Sequence, residues 1–363
     1  MSDDAAGTVT GTAAGTATID AEPRRGGLLG FDLSPGDARR LMGLARFCAT
    51  RFAGVADADF LGRVSLLTHD MPQSVREFAQ VARLDARKHA VLISGNDIDD
   101  LAIGDTPLRW RDADTERSRP YAFLAMLYGA LFGDVIGWAT QQNGRLVTDV
   151  VPTPGEEHGL VSSCSESPLG WHTEDAFSPY RADYVGLLCL RSPEEVGTTI
   201  SYVDPEDVPD EVAALLRQPR YVILPDSSHD PDHNSAAGDE VTASAFGRLS
   251  EMRSDPPKVA VLSGHPEAPV LRIDRDFVVP AEGDAAAAHA LAWLVDHLDA
   301  HTYDVALRPG DMCFIDNRNV VHGRRAFRAR FDGRDRWLKR VNVVTDLRRT
   351  LPGRVSVASR VIG

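Results

Sequence analysis

Apolar and polar positions along the chain fall into two textures. Leu41, Leu44, Ala45, Cys48 and Phe52 recur at helical spacing behind Ser34 and Pro35, which read as a helix N-cap and first helical residue. The apolar stretch Tyr121 to Leu131 and the alanine-rich stretch Ala285 to Leu298 predict two more helices. Elsewhere the apolar residues come in short runs bounded by turn formers. HAVLISG (89–95), YVGLLCLR (184–191), TTISYV (198–203), RYVIL (220–224), KVAVLSG (258–264), VLRID (270–274), DMCFID (311–316) and WLKRVNVVTDL (337–347) predict strands. The helices flank the strands and do not alternate with them. That pattern argues against a doubly wound sheet and for a mainly β fold, a double-sheet barrel or jelly roll with helical buttresses.

Ordered sequence begins near Leu28. Residues 1–27 lack the apolar run of a signal peptide and read as a disordered tail, leaving 28–363 as a single domain. Within it, PDSSHDPDHNSAAGDE (225–240) is polar and rich in breakers, which predicts a lid loop around 225–245.

Composition narrows the function classes. A net charge of −14 opposes nucleic-acid binding, which needs a basic face for phosphates. No stretch has the length of a membrane-spanning helix. Cys48, Cys164, Cys189 and Cys313 stand far apart, as reduced thiols and not as a disulfide or zinc framework. The expectation is a cytoplasmic protein acting on a small molecule.

The chemistry-bearing residues lie in three segments. GWHTEDAFSPYRADY holds His172 and Glu174, which share one face if the segment is extended. FIDNRNVVHGRRAF supplies His322 just past a predicted strand. Two histidines and a carboxylate can hold iron(II) with coordination positions left open, though an H-x-E pair by itself does not select iron. Catalytic zinc uses the same donors, but the helical H-E-x-x-H spacing of zinc peptidases is absent. In GRDRWLKR, Arg336 follows His322 by fourteen residues and Arg340 follows Arg336 by four. Each guanidinium is a planar fork suited to a carboxylate. Solvated surface charge is the alternative for both, since strand alternation puts them on one face without saying which.

These segments, together with WATQQNGR, LVSS and LRIDRDF, resemble the clavaminate synthase-like iron(II)/2-oxoglutarate oxygenases. The nearest resemblance is to the arginine β-hydroxylases of tuberactinomycin (viomycin and capreomycin) pathways. It covers nearly the whole chain from Leu33, least well in the tail and the loop after Pro225. It implies a double-stranded β-helix core, with iron(II) on His172, Glu174 and His322, and 2-oxoglutarate and O2 as cosubstrates. It also implies a 2-oxoglutarate clamp at Arg336 helped by Thr198, and a substrate α-carboxylate contact at Arg340. The α-amino group falls near Gln141 and Glu174, with backbone help around Leu160 and Ser162. Guanidinium contacts fall on Asp274 and Asp276, and lid contacts on Asp226 and Ser228. The implied reaction is hydroxylation of free L-arginine to (3S)-3-hydroxy-L-arginine for a capreomycidine-type antibiotic residue.

Several residues carry alternatives. Asp274 and Asp276 alternate at a predicted strand end and suit a delocalised cation, while surface solvation remains the other reading for each. Gln141 fits a turn in TQQNG equally well. His229 and His233 are four apart with Pro231 between them, so they read as loop residues and not ligands. Cys164 reads as packing. Rival functions are a lysine or ornithine hydroxylase on the same scaffold, a zinc hydrolase and a silent binding module. Glu174 argues against halogenation, which in related enzymes needs a small residue at that position.

Overall fold

A computed structural model describes residues 28–85, 89–234 and 240–363, so the expected tail at 1–27 lies outside the described residues. Two facing sheets form the frame. The larger has eight strands, in the order Leu28–Asp32, Ala90–Ser94, Met312–Asp316, Tyr184–Arg191, Trp337–Val344, Asp134–Trp138 and Val361–Ile362, with Val147–Val150 also pairing along Trp337–Val344. The smaller has four strands, in the order Tyr303–Ala306, Gly197–Tyr202, Val320–Arg324 and Leu169–His172. Val185, Leu187, Cys189, Ile200, Ile315 and Leu338 pack between them. This is the jelly-roll core that the strand-rich pattern predicts, with helices on its flanks.

The outer face of the large sheet is covered by helices Pro35–Arg51, Gln73–Leu84 and Arg119–Phe132. Ser34 caps the first of these, its hydroxyl accepting the Asp37 N–H at 3.1 Å. Arg119–Phe132 is apolar nearly all round because it is buried nearly all round. Phe132 stacks on Phe314 of the sheet at 4.0 Å. A second apolar cluster joins helices Asp210–Leu216 and Ala285–Ala300 to Trp171, Ile273 and Val321. Among the described residues no helix is long and apolar enough to cross a membrane.

Three expectations shift. The strand expected at 258–264 is Leu262–His265, with Val259 making only an isolated bridge to Tyr221 and the Val261 N–H donating instead to the Leu216 carbonyl at 3.0 Å. The strand expected at 270–274 is Ala268–Leu271, because the chain then changes partner: Thr173 N–H donates to the Ile273 carbonyl at 2.8 Å, and His172 bridges Asp274. The segment expected as a lid at 225–245 contains the short 3-10 turns Ser227–His229 and Pro231–His233, and helix Glu240–Ser254 starts inside it.

Candidate active site

His172 ends its strand, and His322 lies opposite it in register on Val320–Arg324, within a strand and not just past one. Glu174 sits two residues beyond the strand end, where its N–H donates to Asn317 Oδ1 at 2.6 Å and its carbonyl accepts from Asn317 Nδ2 at 3.1 Å. Glu174 Oε2 is 3.6 Å from His172 Nε2 and 3.4 Å from His322 Nε2. One donor atom from each residue falls within 4.8 Å of the others. The Gly170 carbonyl, 2.9 Å from His172 Nδ1, orients that ring. Two imidazoles and a carboxylate so disposed fit iron(II) and leave positions for further ligands. Burial works to raise the Glu174 pKa, but Arg340 and the hydrogen bonds from His172 and His322 hold it well below the usual range.

Strand alternation sorts the basic run. Trp337, Lys339 and Val341 point to the helical side, where Trp337 Nε1 and Lys339 Nζ both donate to Asp149 Oδ1 at 2.8 Å. Arg336, Leu338 and Arg340 line the pocket between the sheets. Arg340 donates to Gln141 Oε1 at 2.7 Å and meets Glu174 Oε1 at 2.5 Å. Arg336 is buried, and burial pulls its pKa down to about 10. Among the described residues no carboxylate pairs with it, and the buried Thr198 hydroxyl in the same pocket has no hydrogen-bond partner. A buried cation without a counter-ion is costly, so a ligand carboxylate fits here. The two groups suit the distal end of 2-oxoglutarate.

The pocket opens to solvent, and its empty space, solvent included, is about 820 Å³. Leu160, Ser162, Asp226, Ser228, Asp274 and Asp276 line it as well. The two aspartates reach it by a turn and not by strand alternation: Asp274 Oδ1 accepts the N–H groups of Asp276 at 3.0 Å and Phe277 at 3.2 Å. Burial pushes the Asp274 pKa up to about 7. Gln141 stands behind the wall and caps the turn Gln142–Gly144, as its TQQNG setting suggests, while its Nε2 also donates to Ser228 Oγ at 2.9 Å. Cys164 is buried against Arg324, and all four cysteines are free and buried.

Some lining residues escape the sequence reading. Leu187 and Leu338 lie on predicted strands whose inward face alternation left open, and Arg324 follows His322 by two. Asp175 and Phe277 had no such signal. His229 lies in a turn, as expected, but is fully buried and 3.0 Å from Asp175 Oδ1. His233 pairs with Glu156 at 3.5 Å.

Comparison with known proteins decides the family. Residues 124–342 match the model of the taurine catabolism dioxygenase TauD, TfdA family. The chain belongs to this family. It is a non-haem iron, 2-oxoglutarate-dependent dioxygenase. It is 38% identical to an enduracididine beta-hydroxylase of Streptomyces hygroscopicus, over 92% of this chain and 100% of that protein. An L-ornithine/L-arginine 3-hydroxylase of Catenulispora acidiphila is 36% identical over 86% of this chain and 94% of its own. Among solved structures, the non-haem iron oxygenase OrfP with Fe, succinate and (3S)-hydroxy-L-Arg superposes with a TM-score of 0.89, at 38% identity, covering 92% of this chain and 99% of that one.

Proposed function

We propose that this dioxygenase hydroxylates free L-arginine at the β-carbon, giving (3S)-3-hydroxy-L-arginine. The observation that carries this reading is the makeup of one pocket: a metal-ready triad, a buried unpaired guanidinium, and three carboxylates that form no ion pair among the described residues. The last feature asks for a cationic substrate, and a planar guanidinium offers five donors to spread over them.

In this reading His172, Glu174 and His322 hold iron(II), and Arg336 with Thr198 takes the distal carboxylate of 2-oxoglutarate. When bound, iron(II) with 2-oxoglutarate and O2 supplies the oxidising chemistry that turns C–H into C–OH, leaving succinate and carbon dioxide. The chain's own contribution is placement. Arg340, held from behind by Gln141, takes the substrate α-carboxylate, and Glu174 faces the α-amino group beside Leu160 and Ser162. Asp274 and Asp276 take the guanidinium, while Asp226 and Ser228 approach from the turn. Two anchored ends leave one methylene beside the metal. We read residues 28–363 as one domain with this turn as its lid. The resemblance to tuberactinomycin-pathway enzymes supports an antibiotic-biosynthetic use of the product. Four free, buried cysteines suit a cytoplasmic location.

The test is succinate formation by the iron-loaded protein with arginine, ornithine, lysine and asparagine, and the position of the new hydroxyl by NMR. Arginine turning over fastest, with oxygen on C3, is the expected result. Faster turnover of lysine or ornithine, or oxygen on another carbon, overturns the reading. Asp274→Ala should lower kcat/KM for arginine about a hundredfold, the scale of a broken buried charge contact of roughly 3 kcal/mol.

A further inference from the structure

A second buried cluster backs the pocket, and none of the roles above uses it. Asp175 follows Glu174 at φ +53°, a left-handed conformation. Its Oδ2 accepts Trp138 Nε1 at 2.6 Å and Asn342 Nδ2 at 3.3 Å, and its Oδ1 lies 3.0 Å from His229 Nε2. His229 has no exposed surface. Its ring meets Trp138 at 5.4 Å and Phe177 at 4.9 Å, both close to perpendicular, and its Nδ1 lies 2.7 Å from Thr140 Oγ1.

The neighbouring contacts give this pair its meaning. Ser228, one residue before His229, accepts from Gln141, one residue after Thr140. Gln141 accepts from Arg340, and Arg340 pairs with Glu174, which adjoins Asp175. The circuit therefore closes: Asp175 to His229, along the turn to Ser228, through Gln141 and Arg340 to Glu174, and back. Asp226 caps the same turn by accepting the Ser228 N–H at 2.8 Å, so its carboxylate moves with the turn. Asn234 Nδ2 adds a tie to the Thr140 carbonyl at 2.5 Å.

Burying an imidazole with a carboxylate gains little net stability over apolar packing, because both groups lose water. What it does provide is position, since each partner has a direction as well as a charge. We propose that the His229–Asp175 pair is a positioning latch, which holds the Asp226–Ser228 turn over the pocket and thereby sets substrate affinity. The residues that take 2-oxoglutarate, Arg336 and Thr198, lie outside this circuit, so its affinity is independent of the latch. The identity of the substrate rests on the arginine reading; the latch rests on the hydrogen-bond circuit.

The test uses the iron-loaded full chain with His229→Phe, which keeps an aromatic ring between Trp138 and Phe177 but loses both polar contacts. If the unlatched turn is competent about a tenth of the time, the KM for arginine rises about tenfold. At saturating iron the KM for 2-oxoglutarate stays at its wild-type value. Backbone amides between Asp226 and Asn234 exchange faster with solvent deuterium, and His229→Gln, which keeps a donor toward Asp175, recovers part of the arginine affinity. An unchanged arginine KM, unchanged exchange in the turn, or an equal loss of 2-oxoglutarate affinity at saturating iron overturns the latch. A wild-type protein inactive on arginine sinks the functional reading alone, because the exchange measurement still decides the latch.

Discussion

Arg336 carries a positive charge with no carboxylate paired to it among the described residues, in a pocket that also holds the unsatisfied Thr198 hydroxyl. Arg336→Ala is therefore expected to raise the KM for 2-oxoglutarate between about ten- and a hundredfold, the equivalent of a charged hydrogen-bonding contact worth roughly 1.5–3 kcal/mol. Kinetics with 2-oxoglutarate varied at saturating arginine measure it. Arg336→Lys should restore only part, since an ammonium lacks the bidentate fork. Gly170 provides a test at the other end. A Cβ there would collide with the Asp276 carboxylate, which a flexible side chain can relieve by swinging away. Gly170→Ala should fold normally yet raise the arginine KM several-fold, about 1 kcal/mol for a weakened charged contact. An unchanged KM would mean that Asp276 does not touch the substrate. At this scale the sequence was informative wherever chemistry and spacing coincided, as in His172, Glu174, His322 and Arg336. It was silent on Asp175 and His229, because an aspartate and a loop histidine look the same exposed or buried.

The strand Trp337–Val344 shows how one element serves two surfaces. Its inward face presents Leu338 and Arg340 to the pocket, and its outward face buries Trp337 and Lys339. Lys339 is 2.8 Å from Asp149, with both side chains almost fully buried. Asp149→Ala leaves that ammonium without its partner and should destabilise the fold by about 3–5 kcal/mol, read from the denaturant midpoint. Replacing both residues by apolar ones should recover much of the loss, because the desolvation cost goes with the charge. If the single and double variants lose the same stability, the pair is not what matters. The same alternation decides what was legible. Tyr184–Arg191 is buried on both faces and announces itself as an unbroken apolar run. Leu169–His172 and Val320–Arg324 carry the metal donors in short strands broken by Gly170 and Gly323 and by polar residues, so function dilutes the strand signal. Gln73–Leu84 was not among the expected helices, although Val75, Phe78, Ala79 and Ala82 stand at helical spacing. The helix Glu240–Ser254 was not readable, since its polar start continues the composition of the preceding turns.

Across the whole molecule, the triad joins two neighbouring strands of the small sheet through side chains that have no such arrangement in the unfolded chain. His172 and His322 are in direct register, and Glu174 is tied through Asn317 to the segment that leads into the strand of His322. A divalent ion that binds this set binds the folded state alone, so its affinity adds to stability. At about a hundred times its dissociation constant the gain is roughly 2.7 kcal/mol. Anaerobic iron(II) should therefore raise Tm by several degrees, and a chelator should reverse the rise. His322→Ala should begin near the Tm of the metal-free parent, since it also removes a buried titratable group, and should show no upward shift with iron. Differential scanning calorimetry of both proteins, with and without metal, separates the cases. A Tm that ignores iron in the parent would mean that the folded chain does not hold the ion, and one that follows it equally in the variant would mean that the ion is held somewhere other than between these two strands.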